Sequence, residues 1–141
     1  MLLIFLLISF VGFADAVYLT ATHYTGANVA CGVLEGCDKV LASAYSVFAG
    51  LPVALLGVIY YLLLITLLLC YFATKQKGFL WAAAAFTPVG FLASAWFLYL
   101  QIFVIKTLCF YCLISAISST LLLIISLYIL WKQKTKTTLL A

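Results

Sequence analysis

The sequence predicts an all-α membrane protein: a bundle of four transmembrane helices, with a short interfacial helix between the first and second. Three observations carry that prediction. The chain of 141 residues is 69% hydrophobic and only 7% charged, more apolar surface than a soluble domain of this size can bury. Four apolar stretches exceed the roughly 18 residues that mark a membrane span. Short polar segments carrying glycine or lysine separate them. The whole chain, residues 1–141, therefore reads as a single integral-membrane domain. Its net charge of +4 comes from lysines, with no arginine. Those lysines read as topology signals rather than as a nucleic-acid surface. No G-x-G-x-x-G and no P-loop appears, so nothing points to a soluble nucleotide cofactor.

The first span covers about residues 2–22. Ala14-Asp15-Ala16 has the small-residue pattern of a signal-peptidase site. No Lys or Arg precedes the apolar run, however, and apolar sequence continues through Val17, Tyr18 and Leu19, so the segment reads as a retained span. Asp15 lies about two turns, or ~12 Å, below the following loop. An acid at that depth is costly and is expected to face the bundle interior. Tyr18 and Thr22 follow at helical spacing, so the three form a polar stripe ending at His23. Asp15 is either a buried group that handles protons or contacts a bound redox ligand, or one end of an interhelical hydrogen bond. His23 is either incidental or a proton-transfer group at the interface.

Residues 24–37 form a polar loop holding Cys31 and Cys37. Asp38 caps a short helix expected to run to about Phe48. Val40, Leu41, Ala44, Tyr45 and Phe48 lie on one face of it, with Lys39, Ser43 and Ser46 on the other. Too short to span, it belongs in the interface, as a lead-in to the second span or a lid over a cavity. Gly50 and Pro52 open the second span, which reaches about residue 72. Thr74 to Gly78 makes a lysine-bearing turn. The third span, about 79–105, carries Ala82 to Ala85, Gly90, Ala93 and Ala95, which allow close helix contact, and Pro88, which bends it. The fourth, about 109–131, ends in a lysine-rich tail.

The chemistry centres on Cys109-Phe110-Tyr111-Cys112, a C-x-x-C that opens the fourth span. Two intervening residues put both sulfurs on one helical turn. The free N–H groups and positive dipole end of a helix start favour a thiolate, and the thiolate is the form that exchanges disulfides. Lys106 adds positive charge one turn upstream. Two cysteines can also simply pack as small hydrophobes, but the second pair, Cys31 and Cys37, argues for redox work. The five residues between that pair suit a reversible disulfide and depart from the C-x₂₋₄-C of structural zinc sites. Cys70 is the odd cysteine, near Lys75 and Lys77, and reads as packing.

Lys75, Lys77 and the tail residues Lys132, Lys134 and Lys136 flank one face, against Lys39 and Lys106 on the other. The positive-inside rule then puts both termini in the cytoplasm and the four paired cysteines at the outer face of a prokaryotic plasma or inner membrane. That compartment is oxidising. Trp81 and Trp131 fall at the cytoplasmic boundary.

These residues resemble the vitamin K epoxide reductase family in its prokaryotic, disulfide-forming branch. The likeness covers essentially the whole chain: Tyr18-Leu19-Thr20 at the end of the first span, the Cys31/Cys37 loop, Cys37-Asp-Lys-Val-Leu-Ala-Ser43 leading into Leu51-Pro52, then Gln101-Ile-Phe-Val-Ile and Cys109-Phe-Tyr-Cys112-Leu-Ile-Ser-Ala. Loop pair first and C-x-x-C at the fourth span is a distinctive order; in the unrelated DsbB proteins the C-x-x-C precedes the second span. The resemblance implies a four-helix bundle with a quinone, ubiquinone or menaquinone, at its outer end. It implies that Cys112 is the thiol nearest the quinone, that Cys109 exchanges with Cys37, that Cys31 meets a separate thioredoxin-like or DsbA-like partner, and that Ser43 sits near the quinone. The loop cysteines are closer together than in vertebrate members, and Ala116 stands where those carry a tyrosine, which weighs against vitamin K epoxide as substrate. A strongly oxidising periplasmic dithiol partner sits near about −120 mV, so its reoxidation needs an acceptor above that, which a lipid quinone supplies. The competing readings are a soft-metal-binding membrane protein and a structural tetraspan with a stapled loop.

Overall fold

Within hydrocarbon every backbone polar group must be satisfied inside its own segment, and a helix does that. The computed structural model describes residues 1–26, 39–40, 43–48 and 50–139. Its four apolar stretches form α1 (Leu2–Thr25), α2 (Val53–Thr74), α3 (Lys77–Tyr99) and α4 (Phe110–Leu139). Each is long and apolar enough to cross a membrane. Gly26, at φ 62°, ends α1 in the left-handed conformation that glycine adopts without penalty. Lys75 ends α2 in the same region, and its N–H bonds the Tyr71 carbonyl at 2.8 Å. Beyond Tyr99, α3 widens into a π-helical turn, Leu100–Ile105, before Lys106 turns the chain back.

α1 packs on α2, α2 on α3, α3 on α4, and α4 closes back on α1. The outward faces, including Leu3 and Leu7 of α1, Leu62 and Leu69 of α2, and Ile117 and Ile124 of α4, are exposed apolar surface suited to lipid. Inward, the two halves of the bundle differ. At the end that holds the chain's N-terminus, Phe5, Leu64, Leu68, Leu80, Ala83 and Leu122 form a core in which none is more than 5% exposed. Ala83, Ala84 and Gly90 let α3 approach closely, as their sizes predict. Hydroxyl pairs tie α3 to α4: Thr87 and Ser126 at 2.8 Å, and Ser119 donating to Ser94 at 2.9 Å. The other half is hollow.

Two adjacent tyrosines separate the halves. Tyr61 lies over Gly12 of α1, and Tyr60 over Gly90 of α3, each ring occupying the space a β-carbon would fill. The Tyr61 hydroxyl reaches across to α4, 3.3 Å from the Ser115 carbonyl and 3.4 Å from its hydroxyl.

The segment before α2 departs from expectation. Lys39–Val40 are helical, but the helix does not run to Phe48. Ala44–Ser46 make one 3₁₀ turn, and β1 (Val47–Phe48) pairs antiparallel with β2 (Leu51–Pro52), Val47 opposite Pro52 and Phe48 opposite Leu51. The cause is local. Pro52 pushes Leu51 into the extended region, and Gly50 turns the chain at φ 82°, so a hairpin replaces the helix. Pro52 consequently precedes α2 rather than sitting in its first turn. Cys31, Cys37 and Asp38 lie outside the described residues.

Candidate redox site beneath the hairpin

Cys109 stands just ahead of α4 as its N-cap, and its carbonyl accepts the Leu113 N–H at 3.1 Å. Its sulfur acts as a capping side chain does, accepting the backbone N–H groups of Tyr111 and Cys112, and it also bonds the Cys112 thiol. The Cys112 hydrogen bond is the main reason that the Cys109 thiol is lowered from 9.0 to about 7; burial opposes it and the backbone donors add to it. Cys112 is a free thiol. Cys109 is fully buried, packed against Val40. Val40 follows Cys37 by three positions in the sequence.

Cys112, one turn on, faces the hollow half. There a cavity of about 640 Å³ is bounded by all four helices and by the segment before α2. That size falls in the usual range for small-molecule sites, and the wall is mostly apolar, as such sites are. Within the wall, Asp15 is 8% exposed, and neither of its carboxyl oxygens has a hydrogen-bond partner among the described residues. The Tyr60 hydroxyl is likewise buried and unpartnered. Buried polar groups are ordinarily paired, so two orphans in one cavity wall mark where a ligand's polar atoms fit.

The residues expected at the site divide into four groups. Asp15, His23, Ser43 and Cys112 all line the cavity. Ser43 donates its hydroxyl to the Val40 carbonyl at 2.7 Å, leaving lone pairs free. His23 sits edge-on to Tyr24 at 5.8 Å. Cys109 stands behind Cys112, away from the cavity wall and under Val40. Cys31 and Cys37 fall outside the described residues, and Cys70 lies on α2, outside the cavity wall. The polar stripe lies along one face of the helical α1, but its members differ in their surroundings. Thr22 bonds carbonyls of its own helix, Tyr18 packs its ring at a tilt against Tyr111 at 5.0 Å, and Asp15 alone of the three is buried. Among the described residues Asp15 makes no interhelical hydrogen bond.

Three cavity residues were not assigned to the site from the sequence. Tyr60 and Tyr61 look like ordinary span aromatics until their glycine partners are seen. Gln101 had a signal, as a carboxamide in an otherwise apolar stretch, eight residues before Cys109. It is 1% exposed, and its Oε1 accepts the Cys109 N–H at 3.0 Å.

The family model described as the vitamin K epoxide reductase family matches residues 3–127. The chain belongs to the vitamin K epoxide reductase family. No curated protein matches the chain. Members of the vitamin K epoxide reductase family are membrane oxidoreductases that act on quinones, and a four-helix membrane bundle is the architecture found here. The cavity fits such a molecule. Its apolar wall suits a ring and a hydrocarbon tail, its two orphaned polar groups suit carbonyl or hydroxyl oxygens, and a redox-capable thiol opens into it.

Proposed function

We propose that this chain is a disulfide-generating thiol–quinone oxidoreductase of the family's prokaryotic branch. Electrons enter from a separate thioredoxin-like or DsbA-like protein at Cys31/Cys37, pass to Cys109/Cys112, and leave to ubiquinone or menaquinone. The observation that carries the proposal is the split orientation of the C-x-x-C: Cys112 opens into a cavity with unpartnered polar groups, while Cys109 is buried under the segment that follows Cys37. In this reading one sulfur serves the acceptor and the other the loop. The lysine distribution supports an orientation with both termini cytoplasmic and this end of the bundle outside.

The steps balance. The partner's two thiols become a disulfide as the Cys31–Cys37 disulfide is reduced. The two loop thiols then reduce Cys109–Cys112. That dithiol recloses, and its two electrons and two protons convert one quinone to quinol. The lowered Cys109 thiol suits exchange, because the thiolate is the attacking form. Asp15 and Tyr60 offer the quinone oxygens their polar contacts, with Ser43 and His23 at the cavity margin.

The test is quinone reduction by the purified protein in lipid, driven by a reduced thioredoxin-like protein and followed by quinone absorbance. Wild type is expected to turn over, with Cys112→Ala inactive and Cys70→Ala unchanged. Full activity in Cys112→Ala overturns the proposal.

A further inference from the structure

We infer that Gln101 is a catalytic hydrogen-bond donor to Cys112, one end of its carboxamide fixed by the start of α4 and the other holding the reacting sulfur. The inference rests on the reading of Cys112 as the thiol that faces the acceptor.

A buried carboxamide in a membrane span needs partners for both its ends, and Gln101 has them. Its main chain is pinned first. The Gln101 carbonyl accepts the N–H of Lys106 and, at 3.0 Å, that of Thr107. The Lys106 bond spans five residues, the pattern of a π turn. Such turns are rare and concentrate at functional sites. Within this one, Leu100 and Gln101 are buried, whereas Ile102, Phe103 and Val104 are exposed. The wide turn therefore selects Gln101 as the polar side chain that faces α4.

The orientation of the carboxamide follows from its partner. The Cys109 N–H can only donate, so the atom 3.0 Å from it is the oxygen. The amino end is left for Cys112, which lines the same cavity wall and lies within electrostatic reach of the Gln101 side chain. Gln101 thus does for α4 what the third residue of a capping box does for its own helix, satisfying the N-cap N–H. Unlike a capping box, it also presents a donor to a reacting atom.

The chemical use of that donor is specific. Between loss of its proton and closure of the disulfide, Cys112 sulfur carries charge, and an N–H aimed at it stabilises that charge. A carboxamide neither supplies nor removes a proton. The stoichiometry is unchanged: two thiols give one disulfide, and two electrons and two protons go to the quinone.

A purely structural Gln101 would only cap Cys109, and Gln101→Glu separates the two roles. It keeps an oxygen for the Cys109 N–H but turns a carboxylate oxygen toward Cys112. The assay uses the full-length protein in detergent, a short-chain ubiquinone as acceptor and dithiothreitol as reductant, with thermal unfolding measured in parallel. Iodoacetamide alkylation of Cys112 is read by mass spectrometry on a Cys70→Ala background. Expected for Gln101→Glu are a kcat lower by about 10- to 100-fold, the factor a lost hydrogen bond to a charged group carries, a quinone KM within about twofold, and slower Cys112 alkylation. Should the Glu variant fail to fold, Gln101→Met, of similar length and without a donor, must show the same losses. A folded variant with wild-type kcat and wild-type alkylation overturns the inference. Wild-type protein that reduces no quinone, yet whose Cys112 alkylation still depends on Gln101, overturns the quinone reading and leaves the hydrogen-bond assignment standing.

Discussion

Replacing Asp15 with leucine is expected to make the protein more stable and less active at once. The carboxyl group is buried on the cavity wall with both oxygens unpartnered. Leaving a buried polar group unpaired costs about 1–3 kcal/mol. Leucine removes that cost, and its apolar side chain meets an apolar wall. Taking the middle of the range, Asp15→Leu stabilises by about 2 kcal/mol, or roughly 4–8 °C in unfolding midpoint for a chain of this size. The same change removes a polar contact proposed for the quinone, lowering kcat/KM by about tenfold, the scale of one good hydrogen bond. The assay pairs thermal unfolding in detergent, without quinone, with steady-state quinone reduction. Destabilisation would refute the reasoning, because it would mean that Asp15 has a structural partner after all. Stabilisation with full activity would remove Asp15 from the quinone site.

Four further outcomes are expected. Labelling of reduced intact cells by a membrane-impermeant thiol reagent reaches Cys31 and Cys37 but not Cys70; outside labelling of Cys70 would reverse the proposed orientation. A partner retaining only its attacking cysteine forms a mixed disulfide with Cys37→Ala protein, seen as a heavier band on a non-reducing gel that Cys31→Ala abolishes and Cys109→Ala does not, since release needs a neighbouring thiolate. In protein whose only cysteines are Cys109 and Cys112, thiolate absorbance at short ultraviolet wavelengths rises first as pH increases through about 7, and in Cys112→Ala that rise moves to higher pH because the main hydrogen bond holding Cys109 down is gone. Gly12→Ala forces a β-carbon into the Tyr61 ring and costs about 1–3 kcal/mol of stability, whereas Gly78→Ala, which meets nothing within 4 Å, is neutral or stabilising.

Much of this architecture is legible in the chain because hydropathy is a local property. Each span announces itself in about twenty consecutive residues, and the cost of an acid inside one is enough to turn Asp15 inward. The C-x-x-C is equally local, with its spacing and its place at a helix start visible together. What escaped reading depends on partners distant in sequence or on an extra residue in a turn. The roles of Tyr60 and Tyr61 exist only through Gly90 and Gly12, on two other helices. Gln101 faces α4 because α3 finishes in a π turn, and no helical-period count foresees one. The hairpin at Val47–Pro52 was hidden by a segment short enough for its apolar residues to fit a helix face as well as a strand.

The tyrosine floor has a bioenergetic consequence. Beneath Tyr60 and Tyr61 the buried interior is apolar apart from hydroxyl groups such as Ser9, Thr87 and Ser126, each bonded to a carbonyl one turn back in its own helix. No titratable side chain among the described residues is buried in that half to relay a proton toward the far side. In the reaction proposed above, protons released by the thiols and taken up by the quinone would then be exchanged at a single face. Such a turnover would move no net charge through the bilayer, feeding electrons into the membrane pool without charging the membrane or drawing on its voltage.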